Sequence, residues 1–115
     1  MGVWKLGSKP YDDGSRDVIL AVNATGAGPV TGTLTFKQVE YTANGDWAAS
    51  GSVPGRNYSA FYVGGSDNQS APEFIVAAGT MKGSGADPDS ISINIVRTDS
   101  TDGLQYGWDG ELLPM

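Results

Sequence analysis

The 115-residue chain contains no cysteine and no histidine. The first absence excludes a disulfide framework, thiolate ligands and a cysteine nucleophile. The second removes Ser-His-Asp and Cys-His arrangements and, with the first, the usual zinc sites. Missing disulfides mildly favour a cytosolic or assembled setting over secretion. No apolar run approaches the roughly 18 residues that span a bilayer as a helix. Residues Met1 to Gly7 lack the charged and apolar regions of a signal peptide.

Positive charge is also scarce. Seven Lys+Arg against thirteen Asp+Glu give a net charge of −6. Such a chain gains nothing from counterion release on DNA or RNA, and anionic lipid repels it. A soluble protein is expected, with no nucleic-acid partner, no membrane partner and no assigned compartment.

Seventeen glycines and six prolines punctuate the chain. Between them, Val, Ile, Thr, Tyr, Phe and Trp recur in short stretches, and no window reads as a long amphipathic helix. That rhythm marks a sandwich or barrel of short strands. Eight strands are predicted: Gly2–Gly7, Asp17–Ala24, Val30–Thr42, Asp46–Val53, Asn57–Val63, Glu73–Met81, Ser90–Thr98 and Leu104–Leu113. Asn44-Gly45 reads as a hairpin turn, and Pro54-Gly55, Gly64-Gly65 and Asp102-Gly103 as strand ends. The phase change between Phe36 and Val39 predicts a β-bulge near Lys37-Gln38.

Alternation sends Trp4, Leu6, Leu34, Phe36, Ile91, Ile93, Ile95, Tyr106, Trp108 and Leu112 inward. The second and sixth strands are apolar on both faces, so they should be central or covered. Ala49, Gly51 and Ala60 are small enough for a narrow interior. Short links imply a meander, and clean first and last strands suggest that the sheet closes on itself. The expected fold is a single-domain, all-β, antiparallel up-and-down barrel over residues 1–115; a two-sheet sandwich is the alternative.

Chemistry-bearing motifs are few. The glycine-rich stretches at 26–28 and 83–85 are followed by no helix, so they are turns rather than phosphate cradles. Asp12-Asp13, Asp87/Asp89, Asp99 and Asp102 match no EF-hand spacing and read as turn formers, so neither metal nor cofactor is expected, with calcium left open. Asn23-x-Thr25, Asn57-x-Ser59 and Asn68-x-Ser70 are chance triplets in a Ser/Thr-rich chain. Two carboxylates can suffice for a glycosidase, but a barrel this small rarely forms the deep cleft required. No enzyme is expected.

Parts of the chain around Trp4, Val22-Asn23 and Gly32 to Phe36 resemble a repeat of the bacterial high-mannose agglutinin barrels, over about a third of the sequence. The sugar-contacting Trp-Gly-Gly and Gly-Glu-Gly-Pro motifs of that family are missing. The Gly2-x-Trp4 opening is similar to that of lipocalins and avidins. Neither family is assigned.

In a meander, alternate loops share one end of the barrel. The predicted loops 8–16, 43–46, 64–72 and 99–103 would collect Tyr11, Asp12, Asp13, Arg16, Asn44, Asp46, Asn68, Asp99 and Asp102, with Trp47 just inside. Carboxylates, amides and an aromatic face suit neutral sugars. Of the three tryptophans, Trp47 is the expected ligand contact, and Trp4 and Trp108 are expected in the core. The first functional reading is a lectin-like carbohydrate-binding module, expected as a homo-oligomer because weak sites gain from multivalency. The alternative is a structural or assembly subunit of a virion, tail or other ordered array. A small-ligand or protease-inhibitor barrel is the third reading.

Overall fold

Inward apolar residues at every second position build one continuous ring of strands. The structure, a computed structural model, describes residues 2–24, 28–49, 58–70, 72–84, 87–99, 103 and 105–115. The strands are β1 (Gly2–Gly7), β2 (Val18–Ala24), β3 (Gly28–Phe36), β4 (Val39–Ala49), β5 (Tyr58–Ser66), β6 (Glu73–Ser84), β7 (Asp87–Asp99) and β8 (Gln105–Pro114). Each pairs antiparallel with the next, and β8 returns to β1, which closes an eight-stranded up-and-down barrel. The ring settles barrel against sandwich. Among the described residues no helix is long and apolar enough to cross a membrane.

Two predicted features change place. The first hairpin turn after β3 is Lys37-Gln38, where Phe36 pairs with Val39. Both turn residues have positive φ, 48° and 71°. That is the type I′ requirement for a two-residue hairpin. A two-residue turn shifts the inward phase by one position just as a bulge would, which explains the misreading. Asn44-Gly45, the predicted turn, lies inside β4, opposite Thr31 and Val30. Gly64-Gly65 likewise continues β5 instead of ending it. The predicted strand residues 50–53, Asn57 and Leu104 lie outside the described residues. Non-glycine residues at positive φ cost about 1 kcal/mol each. Gln38→Gly is therefore expected to raise stability by roughly 0.5–1 kcal/mol, read as a higher midpoint in urea with an unchanged slope.

The interior is stacked in layers. Near the rim carrying the β2–β3, β4–β5 and β6–β7 connections (the even-loop rim), Trp4 meets Trp47 edge-on at 6.0 Å and Phe61 at 6.2 Å. Leu20, Val22, Leu34, Val63, Ala77, Ile91 and Ile93 fill the middle. Toward the opposite, odd-loop rim come Phe36, Tyr41 and Ile75. The taper is made by inward glycines. Gly32, Gly45, Gly65 and Gly79 each bring a neighbouring strand's backbone so close that an added Cβ would strike a carbonyl group. Such sites let a small barrel bend tightly. Ala60, expected to serve this purpose, faces outward and is exposed; the side chain of Ala49 and the whole of Gly51 lie outside the described set.

The apolar exterior of β6 is uncovered in this chain: Phe74, Val76 and Ala78 are exposed. On β2, the outward Ile19 and Ala21 are half-buried.

Candidate functional site

The barrel closes through a short seam. β1 meets β8 only at Leu6↔Pro114 and Gly7↔Leu113, with the Met115 N–H donating to the Lys5 carbonyl at 3.1 Å. Before this point on β8, no described strand pairs with its free edge. The stretch beside it is the β1–β2 loop, residues 8–17, which stands off from the strand.

That loop is held by its own hydrogen bonds. The Ser8 N–H donates to the Val18 carbonyl at 2.9 Å, and the buried Ser8 hydroxyl accepts from the Val18 N–H at 2.9 Å. Arg16 Nη1 donates to the Ser8 carbonyl at 2.6 Å. Asp13 Oδ1 accepts from the Ser15 N–H at 2.8 Å and from its hydroxyl at 2.6 Å. These two bonds hold the Asp13 carboxyl below its ordinary range. The Gly14 N–H donates to the Tyr11 carbonyl, with Gly14 at φ 87°. Arg16 and Asp13 thus shape the loop, in keeping with Asp as a turn former.

Between loop and strand lies a depression of about 430 Å³. The loop contributes Lys9, Pro10, Tyr11, Asp12 and Asp17, and β8 contributes Trp108. The Tyr11 hydroxyl donates to Asp17 Oδ2 at 2.8 Å, which fixes the ring. The same bond, with the charge of Asp17, raises the Tyr11 pKa. Trp108 packs against the core, as expected, but is only half-buried and leaves part of its ring at the surface. Its ring lies over Gly110, where a Cβ would come within 2.6 Å of Cη2. Glycine at 110 therefore provides the seat for the indole. The cleft holds an aromatic face, two carboxylates and one ammonium.

The other predicted positions scatter. Asn68 sits on the β5–β6 loop of the same rim at φ 61°, and its Nδ2 donates to Thr42 Oγ1 at 2.8 Å. Asp99 ends β7 at that rim, opposite Glu73. Asn44 and Asp46 are exposed on the outer face of β4, away from any turn. Trp47 points inward near the even-loop rim and is 8% exposed, so it belongs to the core. Asp102 lies outside the described residues. Tyr11 and Asp12 are the predicted residues that the cleft brings together; Asp17 and Trp108 join them unforeseen. Moving the turn from 44–45 to 37–38 reverses which rim the chain around Trp47 approaches, and this separates it from the loop cluster.

The mouth of the barrel at the same rim is plugged by polar groups. The Tyr41 hydroxyl donates to Glu73 Oε2 at 2.7 Å. Burial, then the bond to Glu73, pushes the Tyr41 pKa up to about 12, with Arg97 pulling the other way. Arg97 Nε lies 3.8 Å from Glu73 Oε2.

No family model, curated protein or solved structure matches the chain. The geometry alone therefore carries the reading. Among the described residues no cluster of three or more acidic side chains could hold a metal ion.

Proposed function

We propose that the chain is a non-catalytic carbohydrate-binding module whose site is the seam cleft. The observation that carries this reading is Trp108, seated on Gly110 and lining one depression with Lys9, Asp12 and Asp17. A sugar offers C–H faces that stack on an indole and hydroxyls that both donate and accept. Asp12, Asp17 and the Tyr11 hydroxyl oxygen supply acceptors, and the Lys9 ammonium supplies donors. The hydrogen bonds inside the loop mean that little ordering is left to be done on binding.

A glycan-array screen tests it, with Trp108→Ala alongside. Saturable binding to one sugar class is expected, weakened about tenfold or more in the variant through lost stacking area. Far-ultraviolet circular dichroism checks that the barrel persists. An empty array, or binding unchanged in Trp108→Ala, would remove this site.

One observation favours assembly as a second reading. The outward residues of β5, β6 and β7 between Ala60 and Ser66, Phe74 and Thr80, and Ser92 and Thr98 carry no charge. Val76 and Val96 pair at the centre and are 58% and 44% exposed, with Tyr62 and Phe74 beside them. Asp46 borders this face on one side, and Asp109 and Glu111 on the other. An apolar centre with a charged rim has the anatomy of a protein interface. In a chain of charge −6, it is also a face on which two copies meet without repulsion. Val76→Asp is expected to halve, or reduce further, the mass measured by light scattering. A monomeric parent protein would end this reading.

A further inference from the structure

A second depression of about 430 Å³ opens at the odd-loop rim, lined by Phe36, Lys37, Arg97, Gln105, Tyr106 and Gly107. Its charge is unlike that of the molecule as a whole. Among the described residues that line it, two are cations and none is an acid, on a chain of net charge −6.

The arrangement of Arg97 gives this meaning. Its guanidinium carbon lies 4.7 Å from the Tyr106 ring centre and 5.4 Å from that of Phe36. Contact with two rings fixes where the fork sits. Its nearest carboxylate, Glu73, is 3.8 Å from Nε, which is beyond hydrogen-bond length. Glu73 Oε2 already accepts the Tyr41 hydroxyl, and Arg97 Nε is buried with no hydrogen-bond partner among the described residues. Lys37 Nζ stands 5.9 Å from the same Phe36 ring, brought there by the tight Lys37-Gln38 turn. The fold thus gathers two cations around one phenyl ring, and the Glu73 carboxylate beside Arg97 is already engaged by the Tyr41 hydroxyl. Arg97 therefore keeps an N–H to offer to an anion.

The depression also adjoins the seam cleft. Tyr106 lines the one and Trp108 the other, two residues apart in the same phase of β8 and so about 7 Å apart along the strand. We infer that the two depressions are halves of one groove. The Arg97–Lys37 half takes a carboxylate carried by the sugar, so that the ligand is an acidic, uronate-type saccharide. The planar fork of Arg97 suits a carboxylate, and Lys37 and Gln105 add donors at its side. This inference rests on the carbohydrate reading and names the class of sugar.

The test compares oligogalacturonate with the same oligosaccharide methyl-esterified, each titrated calorimetrically into the whole protein. Esterification removes the charge and leaves the sugar. The acid form is expected to bind at least about tenfold more tightly. Arg97→Gln should erase that preference, with the ester bound as before. Arg97 touches the plug, so Lys37→Asn serves as the second variant. Asn tolerates the left-handed backbone, and a two- to fivefold loss for the acid alone is expected. Equal binding of acid and ester overturns the anion subsite and leaves the sugar reading intact. A preference for the acid that survives both variants overturns the assignment to Arg97 and Lys37. If neither form binds, the uronate assignment falls; an empty glycan array brings down the sugar reading as well.

Discussion

Gly65→Ala is expected to leave the protein largely unfolded at temperatures the parent withstands. Gly65 faces inward on β5, and a Cβ there would fall on the Thr42 carbonyl of β4. The obstacle is ladder backbone rather than the flexible end of a side chain, so the two strands must separate for the methyl group to fit. Overpacking of this kind costs about 3 kcal/mol or more. In a domain this size that is a melting-point loss of roughly 10 °C or more. The neighbouring glycine supplies the control. A Cβ at Gly64 would meet the Ile75 carbonyl oxygen at 3.5 Å and Val76 Cγ2 at 3.9 Å, ordinary contact distances. Gly64→Ala, one residue away and on the outer face, is expected to be neutral or mildly stabilising, because glycine weakens a strand interior. Differential scanning calorimetry of the two variants decides the matter. Equal melting temperatures would mean that β4 and β5 do not approach as closely as described.

Trp4→Ala is expected to cost about 3–5 kcal/mol, the range for deleting a large buried aromatic. Trp4 is almost wholly buried and meets both Trp47 and Phe61 through ring edges. Deletion opens a void in the layer that closes the even-loop half of the core. Trp4→Phe separates volume from polarity. The indole N–H of Trp4 is buried with no hydrogen-bond partner among the described residues, as is that of Trp47. Removing an unsatisfied donor relieves a desolvation penalty of about 1–3 kcal/mol, which offsets part of the lost packing. Trp4→Phe should therefore retain most of the stability that Trp4→Ala loses, as read in denaturant titrations. Similar losses in both variants would imply that the indole nitrogen has a partner after all.

The architecture was legible because it depends on patterns that every strand repeats. Ile91, Ile93 and Ile95 alternate inward as their spacing demands. Trp4 and Leu6 do the same on β1, and sheet closure followed from clean strands at both ends of the order. The turn chemistry was harder to read. Asn44-Gly45 has the composition of a type I′ turn, yet Gly45 is there because its neighbour's backbone is too near for a side chain: a Cβ would strike the Tyr62 carbonyl. Glycine serves positive φ and close approach alike, and sequence shows only the glycine. Lys37-Gln38 carries neither glycine nor asparagine, so the real hairpin gave no compositional sign of itself. That one displaced turn also misplaced Asn44, Asp46 and Trp47 relative to the candidate site. Tyr11 and Asp12 lie side by side as expected because the β1–β2 loop is long, polar and bounded by well-patterned strands. Trp108 was read as core from its phase. Phase fixes the direction of a side chain, but burial also needs a neighbour on the far side, and β8 lacks one along most of its length.

The short β1–β8 seam also bears on how the ring forms and breathes. Every other pairing joins strands adjacent in sequence and can zip up as a hairpin. Leu6 and Pro114 must instead find each other across almost the whole chain, at the largest loop-closure entropy of any pair. Closure is then expected as a late step of folding, and unlatching at this short seam as a low-cost local opening. The latch borders Trp108 and the 8–17 loop. Amide exchange at the seam and ligand entry into the cleft would thus report one and the same opening.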